Sequence, residues 1–226
     1  MTAARDRPLL FSAPMVRAIL AGQKTQTRRI IQSPAKNMQR ERMDVIKYRP
    51  PGDPWYKDHV WSMRGKSSVW GDYTHERFMQ FCPYGQPGET LWVRETVGLL
   101  TGNGHRIVYR ADADPPLTSG GPVRGMKWSP SIHMRREHSR ITLKVTGLRA
   151  ERLQDITEDD ARNEGVEPLS GIGDVQAIAG DPRGRTHGSH PHTLAFAVLW
   201  DTINGDRAPW VSNPWVWVVG FERVQA

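Results

Sequence analysis

The sequence predicts a mixed α+β domain built around a small β-barrel with flanking helices. Three observations lead there: the strand-like segments are several and far apart in the chain, the helical segments are few, and the last segment alternates heavy and light side chains. A chain of 226 residues suits one domain, 1–226, with generous insertions.

The elements follow in order. Residues 12–22, SAPMVRAILAG, read as a two-turn helix. Ser12 is placed to cap it, Pro14 fits a first turn where its missing N–H is harmless, and Gly22 suits a left-handed stop. Its apolar stripe is Val16, Ile19 and Leu20. Thr25 to Ile31 has a strand-like composition. Residues 32–88 lack clean periodicity and are rich in Pro, Gly, Lys, Arg, Trp and Tyr, which marks a long structured insertion. Strands resume in ETLWVRET and RIVYRAD, separated by the turn signal TGNG, and again in SRITLKVTGL. Thr157-Glu158-Asp159-Asp160 resembles a capping box that opens a short helix closed by Gly165. A Gly- and His-containing loop spans 167–192. The segment TLAFAVLWDTIN then reads as a helix burying Leu194, Val198, Leu199 and Ile203. NPWVWVVGFERV closes as a half-buried strand through Trp215, Trp217, Val219 and Phe221.

Composition narrows the chemistry. Thirty-one Lys plus Arg against twenty-four Asp plus Glu leave +7, a tendency towards anionic or phosphate-bearing partners. An apolar fraction of 38% is low, but nine tryptophans supply large surfaces for a core. The one cysteine, Cys82, excludes an internal disulfide and a multi-thiolate metal cluster. The N-terminal stretch lacks the apolar core of a signal peptide, and no run of eighteen apolar residues occurs. The expectation is a cytoplasmic protein with no membrane partner. Composition does not set the oligomeric state.

The stretch GQKTQTRR, residues 22–29, is either a solvated basic corner or the floor of a site. In a plain strand Lys24 and Thr27 have opposite parity and point to opposite faces. One site can use both only if the chain is still turning after Gly22 and the strand begins near Thr25 or Gln26. Thr27, Arg29 and Ile31 then share a face. Glu164, in the last turn of its helix, sits where the macrodipole disfavours a carboxylate by a few tenths to about 1 kcal/mol. A cation such as Lys24 or Arg29 would offset that; simple exposure to water is the plain alternative.

The spacing Gly22-x-Lys24-x-x-Thr27-x-Arg29 resembles the GxKxxTxR signature of ASCH domains, a branch of the PUA-like barrels. The preceding helix, the GETLWVRE strand after the insertion, and LQDITEDDARNEGV resemble that family too, and the closing LWDTIN…NPWVWVVGFERV is similar to its large phage and prophage members. The resemblance implies a PUA-like barrel. It also implies the acyl-transfer chemistry of the small bacterial N(4)-acetylcytidine amidohydrolases, with Thr27 as nucleophile, Lys24 as its base and Glu164 as the group that orients the lysine. A hydroxyl needs a base, and a lysine serves only if its pKa falls. Burial and the neighbouring Arg28 and Arg29 push it down while Glu164 pushes it up. Arg29 or a backbone N–H is the candidate oxyanion partner. No metal or other cofactor is required.

Further candidates line the same expected pocket: Arg94 and Glu95, which are alternatively a structural ion pair, and Ser131 and His133. Arg28 and Lys66 are candidate nucleic-acid contacts. The aromatics Trp55, Tyr56, Trp61, Trp70 and Tyr73, interleaved with basic residues, suit either stacking on unpaired bases or packing of the insertion on the barrel. His187, His190 and His192 have HxxHxH spacing but few carboxylates nearby to complete a metal site, and Cys82 has no evident activating base. The expected partner is an acylated nucleoside or a single-stranded nucleic acid. Amidohydrolase, non-catalytic binder of RNA or of a modified DNA base, ribonuclease and phage assembly protein all remain open.

Overall fold

The computed structural model describes residues 7–31, 47–48, 59–64, 70–100, 106–112, 127–168 and 190–224. Lys66, Trp55, Tyr56 and His187 lie outside them, as does the TGNG turn. The architecture is α+β. Its centre is a five-stranded sheet made of β1 (Arg7–Leu10), β6 (Thr90–Arg94), β10 (Thr142–Arg152), β11 (Trp215–Val224) and β2 (Gln26–Ile30), in that order. β1 runs parallel to β6, and the other pairings are antiparallel.

No strand ladder closes this sheet into a barrel among the described residues, which corrects the closed form expected from sequence. Its two edges, β1 and β2, are tied instead by a side chain: Arg29 Nη2 donates to the Leu10 carbonyl at 2.6 Å. Helix α1 (Ala13–Leu20) connects them in the chain. Pro14 stands in its first turn, and Gly22, at φ +74°, reverses the chain after it, as the sequence predicts. Ser12 takes the N-cap position, but its side chain makes no capping bond.

The central position of β11 decides its burial. Trp217, Val219 and Phe221 face a core shared with Phe11, Val16, Ile19, Leu91 and Val145. Val216 and Val218 face a second core with Leu153, Ile156, Ala161, Phe196 and Trp200. The strand is therefore buried on both faces, not half-buried as its alternation suggested, because helices cover both sides of the sheet. Helix α4 (Pro191–Asn204) contributes Phe196, Ala197 and Trp200 to the second core. Val198 and Leu199 are only half-buried and Ile203 is exposed, so the inward stripe lies to one side of the one expected.

The described part of the insertion forms a separate three-stranded sheet, β3 (Lys47–Tyr48), β4 (His59–Arg64) and β5 (Trp70–Thr74), followed by helix α2 (His75–Met79). Trp61 stacks on Phe78 with centroids 4.0 Å apart and meets the edge of Trp215 at 4.9 Å. Phe78 in turn reaches Trp217 at 5.0 Å. This buried aromatic chain fastens the insertion to β11, and Trp61 is accordingly not available to stack on a base. A third sheet, β7 (Val97–Leu100) flanked by β8 (Arg106–Tyr109) and β9 (Lys127–Ser129), completes the strands among the described residues.

Candidate functional site

Helix α3 (Glu158–Asn163) starts as its sequence dictates. Thr157 Oγ1 accepts from the Asp160 N–H, and the Asp160 carboxylate returns a bond to the Thr157 N–H, so aspartate replaces the usual glutamate of a capping box. Gly165, at φ +74°, ends the helix. A Cβ added there would lie 2.8 Å from both Ala18 Cβ and Lys24 Cβ. The absence of a side chain is what lets the end of α3 press against the α1–β2 corner. Around that contact the Thr25 N–H donates to the Asn163 carbonyl, and Lys24 pairs with Glu164 in an isolated β-bridge.

The corner brings two predicted residues together. Lys24 Nζ donates to Glu164 Oε2 at 2.7 Å and to the Glu164 carbonyl at 2.8 Å, with both side chains almost wholly buried. The second cation on Glu164 is Arg28, not Arg29: Arg28 Nη1 reaches Glu164 Oε1 at 3.2 Å. Arg28 Nη2 also reaches Glu151 Oε1 at 2.6 Å and Asp160 Oδ2 at 3.0 Å, and Arg149 joins Glu151 and Asp160 from outside. The cations Lys24, Arg28 and Arg149 thus face the carboxylates of Glu151, Asp160 and Glu164. Gln26 Nε2 adds a bond to the Asp160 carbonyl at 2.8 Å. Sequence reasoning did not single out Glu151, Asp160, Arg149 or Gln26 for this network. The alternating parity of β2 placed Gln26 beside Arg28 but could not say which face met α3.

Burial lowers the Lys24 pKa from its ordinary value; the Glu164 charge and hydrogen bond oppose that, and Arg29 and Arg28 reinforce it. The net direction is downward. Burial alone would raise the Asp160 carboxyl, but the Arg149 hydrogen bond and the charges of Arg28 and Arg149 carry it down to about 2.

Thr27 is buried on the opposite face of β2 from Arg28, opposite Val219 in the ladder. Among the described residues no side-chain hydrogen bond joins it to Lys24 or Glu164. Arg29 shares its face, half-buried, with its guanidinium against Phe11 at 5.4 Å; the Lys24 ammonium lies 5.8 Å from the same ring.

Other expectations are corrected. The Arg28 guanidinium is not free to contact nucleic acid: it is enclosed and held by three carboxylates. Arg94 and Glu95 do not pair with one another. Glu95 is buried and takes Arg140 through both oxygens, at 2.9 and 3.1 Å, while Arg140 also grips Asp112. Arg94 covers Trp92 and donates to the Ile132 carbonyl. Ser131 and His133 sit half-buried and exposed on the 3₁₀ turn that carries Ile132, with no bond to Lys24, Arg28 or Glu164 among the described residues. His192 bonds Glu158 through Nδ1 at 2.8 Å, a structural contact at the start of α4, and His190 takes the N-cap position there. Burial pushes the Cys82 thiol up to about 12, which leaves no thiolate for nucleophilic work. No described helix is long and apolar enough to cross a membrane. Comparison with protein-family models, with curated proteins and with solved structures finds no match.

Proposed function

We propose that the protein is an amidohydrolase that removes an acyl group from the exocyclic amine of a cytosine-type base, with Thr27 as nucleophile, Lys24 as general base and Glu164 as the group that holds the lysine. The observation that carries this reading is the buried Lys24–Glu164 pair, in which a lysine of lowered pKa sits three residues before a buried threonine at the entry of β2. An ammonium has three donors, and Glu164 takes two of them. The third has no hydrogen-bond partner among the described residues. Catalytic hydrogen bonds often tighten only in the substrate complex, so the missing Lys24–Thr27 bond is compatible with this assignment.

In the reaction, neutral Lys24 takes the Thr27 proton as Oγ1 attacks the acyl carbon. The tetrahedral intermediate collapses, the C–N bond breaks, and the exocyclic amine leaves with the proton from Lys24. Water, deprotonated by the same lysine, then cleaves the threonyl ester to release the carboxylic acid. The specific choice of an acylated cytosine, and a PUA-like fold, rest on the ASCH-like motif around Lys24, Thr27 and Glu164.

Hydrolysis of N(4)-acetylcytidine, with cytidine followed by chromatography, tests the reading. The wild type should release cytidine. Thr27→Ala and Lys24→Ala, checked for native circular dichroism, should each lose at least about 10²-fold in rate, as expected when a proton-transfer partner is removed. Undiminished turnover by Thr27→Ala, or no turnover by the folded wild type, would sink it.

A further inference from the structure

A cavity of about 180 Å³ opens along β2, lined by Arg28, Arg29, Ile30, Tyr84, Trp200, Asn204 and Arg207. It lies between the end of α4 and the turn carrying Tyr84, beside the strand edge that has no ladder partner among the described residues. Bonds from Ile31 N–H to the Trp215 carbonyl and from Phe221 N–H to the Thr25 carbonyl fix which residues of β2 face β11. By antiparallel alternation the amides of Arg28 and Ile30 then point the other way, towards the open edge. Pockets for whole organic ligands usually measure about 300–1,000 Å³, so this cavity holds a single functional group.

The chemistry of the lining says which group. No carboxylate is among the lining residues. Among the described residues Arg29 has no acidic ion-pair partner: its Nη2 is bound to the Leu10 carbonyl, and its Nε is buried without a hydrogen bond. Burial lowers the Arg29 pKa, opposed by the nearby Tyr84 and Glu164, which is the direction of an under-compensated charge. Arg207 is exposed and bonds only to Asn204 Oδ1 at 3.1 Å among the described residues. The Tyr84 hydroxyl makes no hydrogen bond among them. Two guanidinium groups with no carboxylate ion pair among the described residues, a phenol with no hydrogen bond among them and outward main-chain amides match a tetrahedral oxyanion, since planar guanidinium forks bind phosphate oxygens in pairs.

We propose that this cavity is a phosphate subsite, and that the ligand of the Thr27 site is therefore a phosphorylated nucleoside, not a free one. Along β2 the lining residues Arg28, Arg29 and Ile30 follow Thr27 by one to three positions, about 3–10 Å at strand rise, a separation that a nucleotide spans. The inference rests on the functional reading only for the identity of the base. The oxyanion site stands on its own residues.

The test uses the full wild-type chain, titrated at low salt with inorganic phosphate, cytidine 5′-monophosphate, a short oligocytidylate and cytidine, none of which carries an acyl group to be cleaved. Binding is followed by calorimetry and amide chemical shifts. Phosphate should move the Arg28, Ile30 and Asn204 amides. The monophosphate should bind about tenfold or more tightly than cytidine, the gain that charge-assisted hydrogen bonds supply. Arg207→Gln, at an exposed position, should erase most of that preference and leave cytidine affinity unchanged, and Tyr84→Phe should weaken the monophosphate alone. A stronger response to the oligocytidylate than to the monophosphate would identify the phosphate as a diester of a strand. Equal affinity for cytidine and its monophosphate, or a preference that survives both substitutions, would overturn the subsite while leaving the base site intact. Phosphate and monophosphate binding at the cavity with no response to cytidine would support the subsite and count against the base site instead.

Discussion

Glu164 holds two buried cations at once, Lys24 through Oε2 and Arg28 through Oε1. Its removal leaves both with fewer counter-charges in a dry environment. Glu164→Ala should therefore destabilise the fold by about 3–5 kcal/mol, the usual cost of breaking a buried pair, read as a fall in the denaturant midpoint. Glu164→Gln keeps the hydrogen-bonding shape but not the charge, and should fall between Ala and wild type. In the proposed reaction the lysine sets the pH dependence. Because burial holds its pKa below 10.5, the neutral base appears at lower pH than in an ordinary lysine. Hydrolysis should rise with pH and level off before that value. Lys24→Arg, which cannot deprotonate, should not restore the rate. At this scale the motif spacing and the misfit of a carboxylate at a helix C-terminus made Lys24 and Glu164 legible as partners. Arg28 was not legible, because a run of two arginines gives no sign of which one turns inward. That depends on which face of β2 meets α3, a tertiary fact.

Helices α3 and α4 are coupled by a carboxylate that lies outside the candidate site. Glu158, in the first turn of α3, accepts the main-chain N–H groups of His192 and Thr193 in the first turn of α4, together with the Thr193 hydroxyl. It serves as the missing cap of α4, because the N-cap residue His190 does not cap the helix through its side chain. Burial would raise the Glu158 carboxyl, but the hydrogen bonds from His192 and Thr193 bring it down to about 2. With the folded pKa below the unfolded value of about 4.5, this tie contributes fully above pH 4.5 and is lost as pH falls towards 2. Asp160 adds to the same acid-side loss. Glu158→Gln should flatten the pH dependence of stability between those limits and lower the neutral-pH melting temperature. At the α3–α1 contact, Gly165→Ala meets both a left-handed φ and a 2.8 Å approach to Lys24 Cβ. It should destabilise by more than the roughly 1 kcal/mol of the backbone alone and displace the lysine, measurable as lost hydrolysis in the fraction that still folds.

Across the whole molecule, the sequence showed most elements through their punctuation: Pro14 and Gly22 around α1, Thr157 and Gly165 around α3. The double burial of β11 was not visible, since alternation reports one covered face and says nothing of helices arriving on the other. Nor was the open sheet, because closure depends on which strands pair across long separations. The insertion is fixed to this frame by Trp61, so Trp61→Ala should cost about 3–5 kcal/mol and raise protease sensitivity within 32–88 before the rest of the chain. Strand β2 has a further consequence for synthesis. It carries Thr27 and Arg28 near the start of the chain, yet its ladder partner among the described residues is β11, near the end. On a ribosome adding about 5–20 residues per second, the strand waits tens of seconds for that partner. A chain interrupted anywhere before β11 therefore carries Thr27 and Arg28 on a strand without that ladder partner. Order at Thr27 thus reports that synthesis has passed β11.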